Sequence, residues 1–488
     1  MQRRLLGDEH PEVAHAMRYM AFGLFHQGKY EESERLYRQA LAQYRKYLGN
    51  DNRHVASVLM ELGNVLTFLE RWDEAAELAA ELVACERRRT GPETVEAAWA
   101  LRLQAWWTYN GGKPAEAEPL AREALALQRK LRDENDPMVM NLLTLVASCG
   151  LQQGKVEEAR DFAQQAQTRF ARLPPGKVLV QERVSLASLL NILAATAFQQ
   201  DQHRETESYV RQALKVLEPL ALSDNPNVRE TRSLSHFNLG SVLMAQQRYP
   251  EAEEHLKAAL DAAQDDFARA ELRDTRGQLR AWSGNWSGAA EDLTKAFELQ
   301  PTNHWHTFRL AAVLLETGDG AAYRRLRTDS LAAFAGAADP WVAERIAKSA
   351  AMLPLSPKEA ADADRLADKA VRDGEGPYHA WCQLTKALTE FRLGHHAAAA
   401  DWAGKVVDAG KPYTRQTMGL MVLAMSRHAL GQDAEARAAL KQGADLYAGF
   451  PKPGEGGAIV VNWHDLVFDR ILLREAESLI LNGASAAR

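Results

Sequence analysis

A short phrase that recurs along the chain constrains its fold more than any other feature of the sequence. Each copy passes from a helix-forming stretch through a tight turn to an aromatic or apolar residue, and then to Glu-Ala or its equivalent and a second helix-forming stretch. The first four copies place these residues at the turn, 42 residues apart each time: Gly28, Glu70, Gly112 and Gly154. Equal intervals of this length predict a repeat protein, in which each unit is one helical hairpin.

The phrase continues towards the C-terminus with a less regular period. Its turn residues lie at 201, 247 and 284, so that the intervals are 47, 46 and 37 residues. Later copies are marked by Gly318, Gly394 and Gly431. Between residues 320 and 376 the pattern is degenerate, and we predict helices there without assigning their register.

Small residues recur at two fixed places in the phrase. The first set stands at the eighth position of each first helix: Ala21, Gly63, Ala105, Ala147, Ala194, Gly240 and Gly277. The second set stands near the start of each second helix: Ser33, Ala75, Ala117, Ala159, Ala252, Ala289 and Ala436. Small side chains at both places allow the paired helices to approach closely. Since one hairpin cannot bury its apolar face alone, we expect the hairpins to stack on one another.

Composition and charge narrow the classes of protein that fit. Hydrophobic residues make up 46% of the chain and charged residues 25%, which is enough to build a large core. The formal net charge of −6 argues against a surface that follows nucleic-acid phosphates. The three cysteines, Cys85, Cys149 and Cys382, lie too far apart to suggest disulfides or a zinc site, and they favour a reducing compartment. Without an apolar run of signal-peptide or membrane-spanning length, the sequence predicts a cytoplasmic protein that binds no membrane.

These units resemble tetratricopeptide repeats. The copy at residues 271–301 fits the 34-residue form, with Gly277, Trp286, Ala289 and Pro301 at the expected places. The N-terminal units are similar to the 42-residue variant found in kinesin light chains, whose inter-repeat phrase has the form Leu-Gly-x-x-His-Pro. That phrase stands here at residues 6–11, and it is echoed at residues 48–55 and 135–137.

The resemblance implies an all-α protein, an α-solenoid in which about eleven hairpins form one right-handed superhelix. We divide it into an N-terminal array of 42-residue repeats at 1–173, a central array at 174–303, and a degenerate array with a terminal capping helix at 304–488. A joint is expected near 173–180, where a Leu-Pro-Pro-Gly sequence interrupts the period. The residues after Met1 match those before Gly49, so we expect the chain to derive from something longer. A short helix that acts as a start cap is the alternative.

A second resemblance concerns the C-terminal third of the chain. Eight short stretches are similar to the repeat tail of large bacterial serine/threonine protein kinases of the planctomycete type: 309–311, 317–319, 323–324, 337–341, 386–394, 422–426, 463–465 and 472–477. In that family the kinase domain precedes the repeats. This sequence has no His-Arg-Asp catalytic loop, no Asp-Phe-Gly and no glycine-rich phosphate loop, so the resemblance transfers no activity.

Residues that could carry chemistry do not form a catalytic or metal-binding pattern. The glycines at 453–457 follow no predicted strand and are interpreted as a loop. His395 and His396 are adjacent on a helix and point about 100° apart, and no cysteine or carboxylate is placed to complete a metal shell. The pair His464-Asp465 is interpreted as the start of the terminal helix. We therefore predict that the protein is not an enzyme and uses no cofactor and no metal.

In tetratricopeptide arrays the first helix of each hairpin lines the concave face, so the resemblance also assigns candidate partner-binding residues. These are Arg18, Phe22, Phe25, Asn64, Arg102, Trp106, Tyr109, Asn141, Ser148 and Asn191. Aromatic residues with interleaved arginines are concentrated in the first three hairpins, and such residues are common binding anchors. The alternative that Trp106 and Phe22 only pack in the core stays open. Trp107, next to Trp106, must point elsewhere, so at least one of the two is expected to pack between helices.

The sequence thus favours a non-catalytic protein–protein interaction scaffold that binds a peptide or protein segment along its concave groove. No unit combines the lysine and asparagine of a chaperone-type carboxylate clamp, which disfavours chaperone tails as ligands. The alternative is a regulatory or substrate-recruiting C-terminal region of a bacterial serine/threonine protein kinase, with the kinase in the same or a neighbouring chain. Binding of single-stranded nucleic acid conflicts with the charge of −6. The identity of the partner and the oligomeric state stay open.

Overall fold

The fold is seen in a computed structural model that describes residues 11–132, 136–173, 178–410, 413–452 and 462–482. Within these ranges the chain forms 23 α-helices in consecutive hairpins and no strand, which confirms the predicted all-α solenoid class. Three features that the sequence singled out lie outside the described residues. They are the phrase at 6–10, the Pro-Pro-Gly at 174–176 and the glycines at 453–457.

The hairpins pair each odd-numbered helix with the even-numbered helix that follows it, and α23 stands alone after the last pair. The helices are α1 (Pro11–His26), α2 (Tyr30–Leu48), α3 (Arg53–Phe68), α4 (Trp72–Thr90), α5 (Val95–Asn110), α6 (Pro114–Leu131), α7 (Pro137–Gln152), α8 (Val156–Arg172), α9 (Val180–Gln199), α10 (His203–Leu217), α11 (Pro226–Ala245), α12 (Tyr249–Ala262), α13 (Asp266–Trp282), α14 (Trp286–Leu299), α15 (His304–Thr317), α16 (Gly320–Ala333), α17 (Pro340–Ala350), α18 (Pro357–Asp373), α19 (His379–Arg392), α20 (His396–Asp408), α21 (Tyr413–Ala429), α22 (Asp433–Ala448) and α23 (Trp463–Glu477).

Contacts between residues divide the chain into two compact units, Met1–Asn238 and Leu239–Arg488, which we call unit 1 and unit 2. The predicted domain boundaries after residues 173 and 303 fall elsewhere, one inside each unit, and they stay predictions. The helices α16, α17 and α18 confirm that the degenerate stretch between 320 and 376 is helical.

The hairpin turns share one backbone geometry. Each turn residue that marked the repeat has a positive φ, and the seven glycines among them are Gly28, Gly112, Gly154, Gly284, Gly318, Gly394 and Gly431. Glu70, Asp201 and Gln247 adopt the same left-handed conformation without being glycine, with φ of 57°, 58° and 63°. The turn at 351–356, between α17 and α18, contains a proline and no residue with positive φ. This different turn explains why the repeat phrase could not be found there.

In unit 1 the two kinds of helix begin in different ways. The first helices α3, α5 and α7 start at polar side chains that accept a hydrogen bond from the backbone of the first turn, namely Asn52, Thr94 and Asp136. Second helices follow the turn directly and carry acidic residues in their first turn, for example Glu31 and Glu157. Negative charge there is stabilising because it faces the positive end of the helix dipole.

The small residues lie where paired and neighbouring helices come closest. Ala21 and Ala75 are fully buried. A Cβ atom on Gly240 would lie 2.8 Å from Cγ of Leu256, and one on Gly63 would lie 2.2 Å from the ring of Trp107. The predicted close approach is therefore confirmed, and at residue 63 it involves a tryptophan from the next hairpin.

On the outer side of unit 1, ion pairs join each second helix to the next one. The pairs that span 36 residues are Arg38–Glu74, Arg45–Glu81, Arg87–Glu123 and Arg122–Glu158. Their side chains are one-third or more exposed, so each pair contributes little to stability by itself. We call these four pairs the outer ladder.

Candidate partner-binding groove

Helical spacing groups the candidate residues on one side of each first helix of unit 1. Arg18, Phe22 and Phe25 are four and three residues apart on α1, and Arg102, Trp106 and Tyr109 repeat that spacing on α5. Side chains at these intervals share one face of a helix. We call this side of α1, α3, α5, α7 and α9 the inner face of unit 1.

Three aromatic side chains of this face are in contact with solvent. Phe22, Phe68 and Trp106 are 50%, 56% and 41% exposed. Trp107, the neighbour of Trp106, is fully buried, so the predicted division of that pair is confirmed. Phe68 stands 42 residues after His26, at the same helical position, and it was not among the candidate residues.

Aromatic contacts hold these side chains in place. Phe25 meets Phe68 edge to face with ring centroids 5.1 Å apart, and Tyr30 stacks on Phe68 at the same distance. Trp106 meets Trp72 of α4 at 5.9 Å. Aromatic pairs at such distances are favourable beyond the area that they bury. The exposed rings are therefore fixed by neighbours and present a defined surface.

The two candidate arginines, Arg18 and Arg102, differ in whether they have a counter-charge. Arg18 donates to both carboxylate oxygens of Glu61 on α3, at 2.9 and 2.5 Å. Arg102 is half-buried on α5 and makes no hydrogen bond or ion pair with any described residue. Removal from water lowers the pKa of the Arg102 guanidinium. A partly desolvated cation without a counter-charge favours the binding of an anionic group.

Several polar candidates link one first helix to the next. Gln152 donates to the Tyr109 hydroxyl at 2.8 Å, and Ser185 donates to Asn141 Oδ1 at 2.5 Å. The Asn191 amide donates to the Ser235 hydroxyl at 2.8 Å. These partners are 43 or 44 residues apart, which is one repeat. Tyr109, Asn141 and Asn191 thus stabilise the stacking of the hairpins.

The remaining candidates differ in exposure. Ser148 is 4% and Asn191 is 1% exposed, so both lie beneath the inner face. Asn64 is half-buried on α3. Among the sequence candidates only Phe22 and Trp106 are exposed, and Arg102 is half-buried, intermediate in exposure between these two and the buried candidates.

A cleft of about 360 Å³ is lined by residues of α3, α4, α5 and α7, and Phe22, Arg102 and Trp106 are not among them. Its apolar lining comes from Met60, Leu82, Val95, Trp99 and Met138. Met60 and Trp99 lie on first helices, where the resemblance to tetratricopeptide repeats places groove residues. Leu82 belongs to a second helix, and a rule based on first helices could not identify it.

The groups that could carry other chemistry are placed as follows. In the described part of the chain no cluster of histidine, cysteine or acidic residues could hold a metal ion. The three cysteines are buried, and burial raises the pKa of the Cys149 and Cys382 thiols to about 12. Asp465 lies in the first turn of α23, as predicted. None of the helices covered by the structure is long and apolar enough to cross a membrane.

Family comparisons identify the repeats. One tetratricopeptide-repeat model matches residues 12–85 and 54–130, and a second matches residues 103–174 and 196–267. A search of curated proteins finds no significant match.

Comparison with solved structures also finds similar chains. They include a protein described as a kinesin light chain with nearly identical TPR-like repeats from Podosopora anserina, which is 20% identical, covers 44% of this chain and 99% of its own, and has a TM-score of 0.37. A variant of that protein gives 0.38 with the same coverage. Yeast Tom70 is 15% identical over 97% of this chain and 99% of its own, with a TM-score of 0.25. From the family models and the hairpin geometry together, residues 12–174 and 196–267 of this chain are tetratricopeptide repeats.

Proposed function

We propose that this chain is a non-catalytic, cytoplasmic scaffold that binds a peptide or protein segment along the inner face of unit 1. Tetratricopeptide repeats are typical of protein–protein interaction scaffolds. Stacked hairpins offer an extended, preformed surface, which suits an extended segment or a helix.

The observation that carries the proposal is Arg102. Its guanidinium is half-buried and without a counter-charge among the described residues, and the exposed ring of Trp106 follows it one helical turn later. A carboxylate on the partner would pair with Arg102 through charge-assisted hydrogen bonds. Apolar side chains of the partner would cover Trp106 and Phe68 and enter the cleft lined by Met60 and Trp99.

The test uses peptides selected from a phage-displayed random library against the full chain. Arg102→Gln is expected to weaken their binding about tenfold or more, because it removes one charge-assisted contact. Arg437→Gln is the matched control, since Arg437 is an exposed arginine of unit 2 that lies outside the inner face of unit 1. Equal binding by the two variants, with unchanged helicity, would overturn the assignment of this face.

The role of a regulatory or substrate-recruiting region of a bacterial serine/threonine protein kinase is the second candidate. It is supported by the sequence similarity of the C-terminal third to the repeat tails of such kinases. A kinase reading frame upstream of and continuous with Met1 in the source genome would favour it. Two results together would contradict it. The reading frame would begin at Met1, and addition of the chain would not change the phosphorylation activity of kinases encoded next to it.

A further inference from the structure

The first helices of unit 2 are arranged around α23. Contacts join α15 to α17, α17 to α19, α19 to α21, α21 to α23, and α23 back to α15. These five helices therefore form a closed ring of neighbours. The seven residues at 463–469 are all buried, although two turns of a helix cover every direction around its axis. The N-terminal half of α23 is thus enclosed on all sides.

This enclosed half of α23 is not made of apolar residues alone. It carries His464, Asp465 and Asp469, which are all less than 4% exposed. The ammonium group of Lys348 on α17 lies 3.5 Å from Asp465 Oδ1 and 3.1 Å from Glu344 Oε1. Buried ion pairs contribute little net stability compared with apolar packing, and their best-attested use is to specify one arrangement.

Aromatic rings complete the surroundings of Lys348. Its ammonium group is 4.3 Å from the ring centroid of Trp381 on α19 and 4.9 Å from that of Phe308 on α15. Phe308 also meets His464 and Phe468 of α23 edge to face, at 4.8 and 5.2 Å. Cation–π contacts of this kind strengthen when they are desolvated.

Two further ion pairs fix the other half of α23. Arg392 of α19 donates to both carboxylate oxygens of Glu475, at 2.5 and 2.7 Å. Arg470 pairs with Glu316 of α15. Three different first helices thus each contact one charged residue of α23, and these residues, Asp465, Arg470 and Glu475, are spaced five apart.

Docking of α23 leaves polar groups without partners. Neither carboxylate oxygen of Asp469 has a hydrogen-bond partner among the described residues, and the same holds for Nδ1 of His464. Burial and the neighbouring Asp465 raise the pKa of Asp469 well above its usual value. Burial lowers the pKa of His464, with Arg309, Lys348 and Arg345 acting in the same direction. Such unsatisfied groups reduce the net gain from docking.

We infer that the inner face of unit 2, formed by α15, α17, α19 and α21, is a binding site for a helix that carries charged residues, and that α23 of the same chain is its resident ligand. Selectivity comes from the acid–base–acid pattern at 465, 470 and 475. A helix with this pattern in another molecule can enter only by displacing α23. This inference concerns unit 2 and does not depend on the function proposed for unit 1.

The test uses the full chain with a protease recognition sequence inserted between Gly456 and Gly457. After cleavage, α23 is held by non-covalent contacts alone. A fluorescent synthetic peptide of residues 462–488 is then added in excess. We expect the labelled peptide to exchange into the cleaved chain with saturable binding while helicity is unchanged, and to bind the uncleaved chain at least tenfold more weakly, because α23 in the same chain competes at high effective concentration.

Two peptide variants make the test specific. Glu475→Gln removes the carboxylate that Arg392 contacts and is expected to weaken binding about tenfold. Glu477→Gln is the matched control, since Glu477 is exposed. The inference is overturned if no labelled peptide enters the cleaved chain, if unit 2 loses helicity on release of α23, if the uncleaved chain binds equally well, or if the two variants bind alike.

Discussion

The inner faces of the two units are built from the same kind of helix and differ in what covers them. In unit 1, Phe68 and Trp106 are in contact with solvent, and Arg102 has no partner within the described ranges. In unit 2, α23 covers the corresponding helices, and Lys348 is enclosed with Glu344 and Asp465. One additional helix is therefore enough to change a surface that is open to a partner into one that is filled from within the chain.

The two units also differ in where many of their ion pairs lie, although unit 1 holds the buried pair Arg169–Glu182 and unit 2 holds exposed pairs such as Lys295–Glu298. Unit 1 has the outer ladder, whose exposed pairs join second helices on the outside of the stack. Unit 2 has buried charges inside the ring of first helices, including Asp465 and Asp469. Exposed pairs are screened by salt, whereas buried pairs are screened much less. The two units should therefore respond differently to the removal of a charge, to pH and to salt.

Removal of the buried lysine should have the largest effect. Lys348→Met leaves Glu344 and Asp465 buried without their cation, and we expect the free energy of unfolding of unit 2 to fall by about 3–5 kcal/mol. Arg102→Met, in unit 1, removes a cation that has no described partner, and we expect a change within about 0.5 kcal/mol. Hydrogen exchange of α17 and α5 measures the two effects separately. Similar losses in both variants would contradict the contrast between the units.

Two acids of α23 that lie about one turn apart, Asp465 and Asp469, should respond in opposite directions. Asp469→Leu removes a buried, unpartnered carboxyl and should stabilise unit 2 by about 1–4 kcal/mol, whereas Asp465→Leu takes a carboxylate away from Lys348 and should destabilise it. Because the pKa of Asp469 is raised on folding, its contribution is most favourable below the unfolded value of 3.8 and is lost as the pH rises towards the folded pKa. The advantage of Asp469→Leu should therefore grow with pH in urea unfolding, and a pH-independent difference would speak against this origin.

The hairpin turns should behave alike in both units. Glu70 in unit 1 and Gln247 in unit 2 hold a left-handed conformation that costs a residue with a Cβ about 1 kcal/mol. Glu70→Gly and Gln247→Gly should each raise stability by about 0.5 kcal/mol after the entropy cost of glycine. Gly154→Gln, at a φ of 75°, is the reverse control and should lower it. A gain in one unit and a loss in the other would show that the turns are not equivalent.

Salt should produce the smallest effect per interaction. At about 1 M NaCl the outer ladder is screened, so unit 1 should lose a few tenths of a kcal/mol per exposed pair. The buried pairs of unit 2 should lose less. Hydrogen exchange measures the urea midpoint of each unit separately in one sample, at low and at high salt. An equal loss in both units would argue against the difference in charge placement.

The fold could be predicted from the sequence because several independent features recur with the repeat and indicate the same helical hairpin. The turn position, the small residues and the helix starts all have the same period, and each describes a contact within a hairpin or between neighbours. The structure confirms these local features at Gly28, Ala75 and Trp107. The turn at 351–356 escaped prediction because it reverses the chain without a left-handed residue.

The site could be predicted only in part. Helical position placed Arg102 and Trp106 on a common face, but it could not show that Arg18 is neutralised by Glu61, 43 residues away. For the same reason the sequence could not predict the position of α23, since Arg392 and Glu475 are separated by 83 residues. A repeat pattern encodes contacts between neighbours, and it does not encode which distant element fills the inner face.

The central claim is that unit 1 presents its inner face while unit 2 fills its own. Photo-crosslinking tests this most directly, with p-benzoylphenylalanine in place of Trp106 in one full-length chain and in place of Trp305 in another. Trp305 lies on α15 with its ring 6.0 Å from that of His464. We predict that the probe at 106 crosslinks to the peptides selected against the full chain, and that the probe at 305 crosslinks within its own chain to residues of α23. Crosslinking of the selected peptides at 305, or no crosslink between those peptides and the probe at 106, would contradict the account.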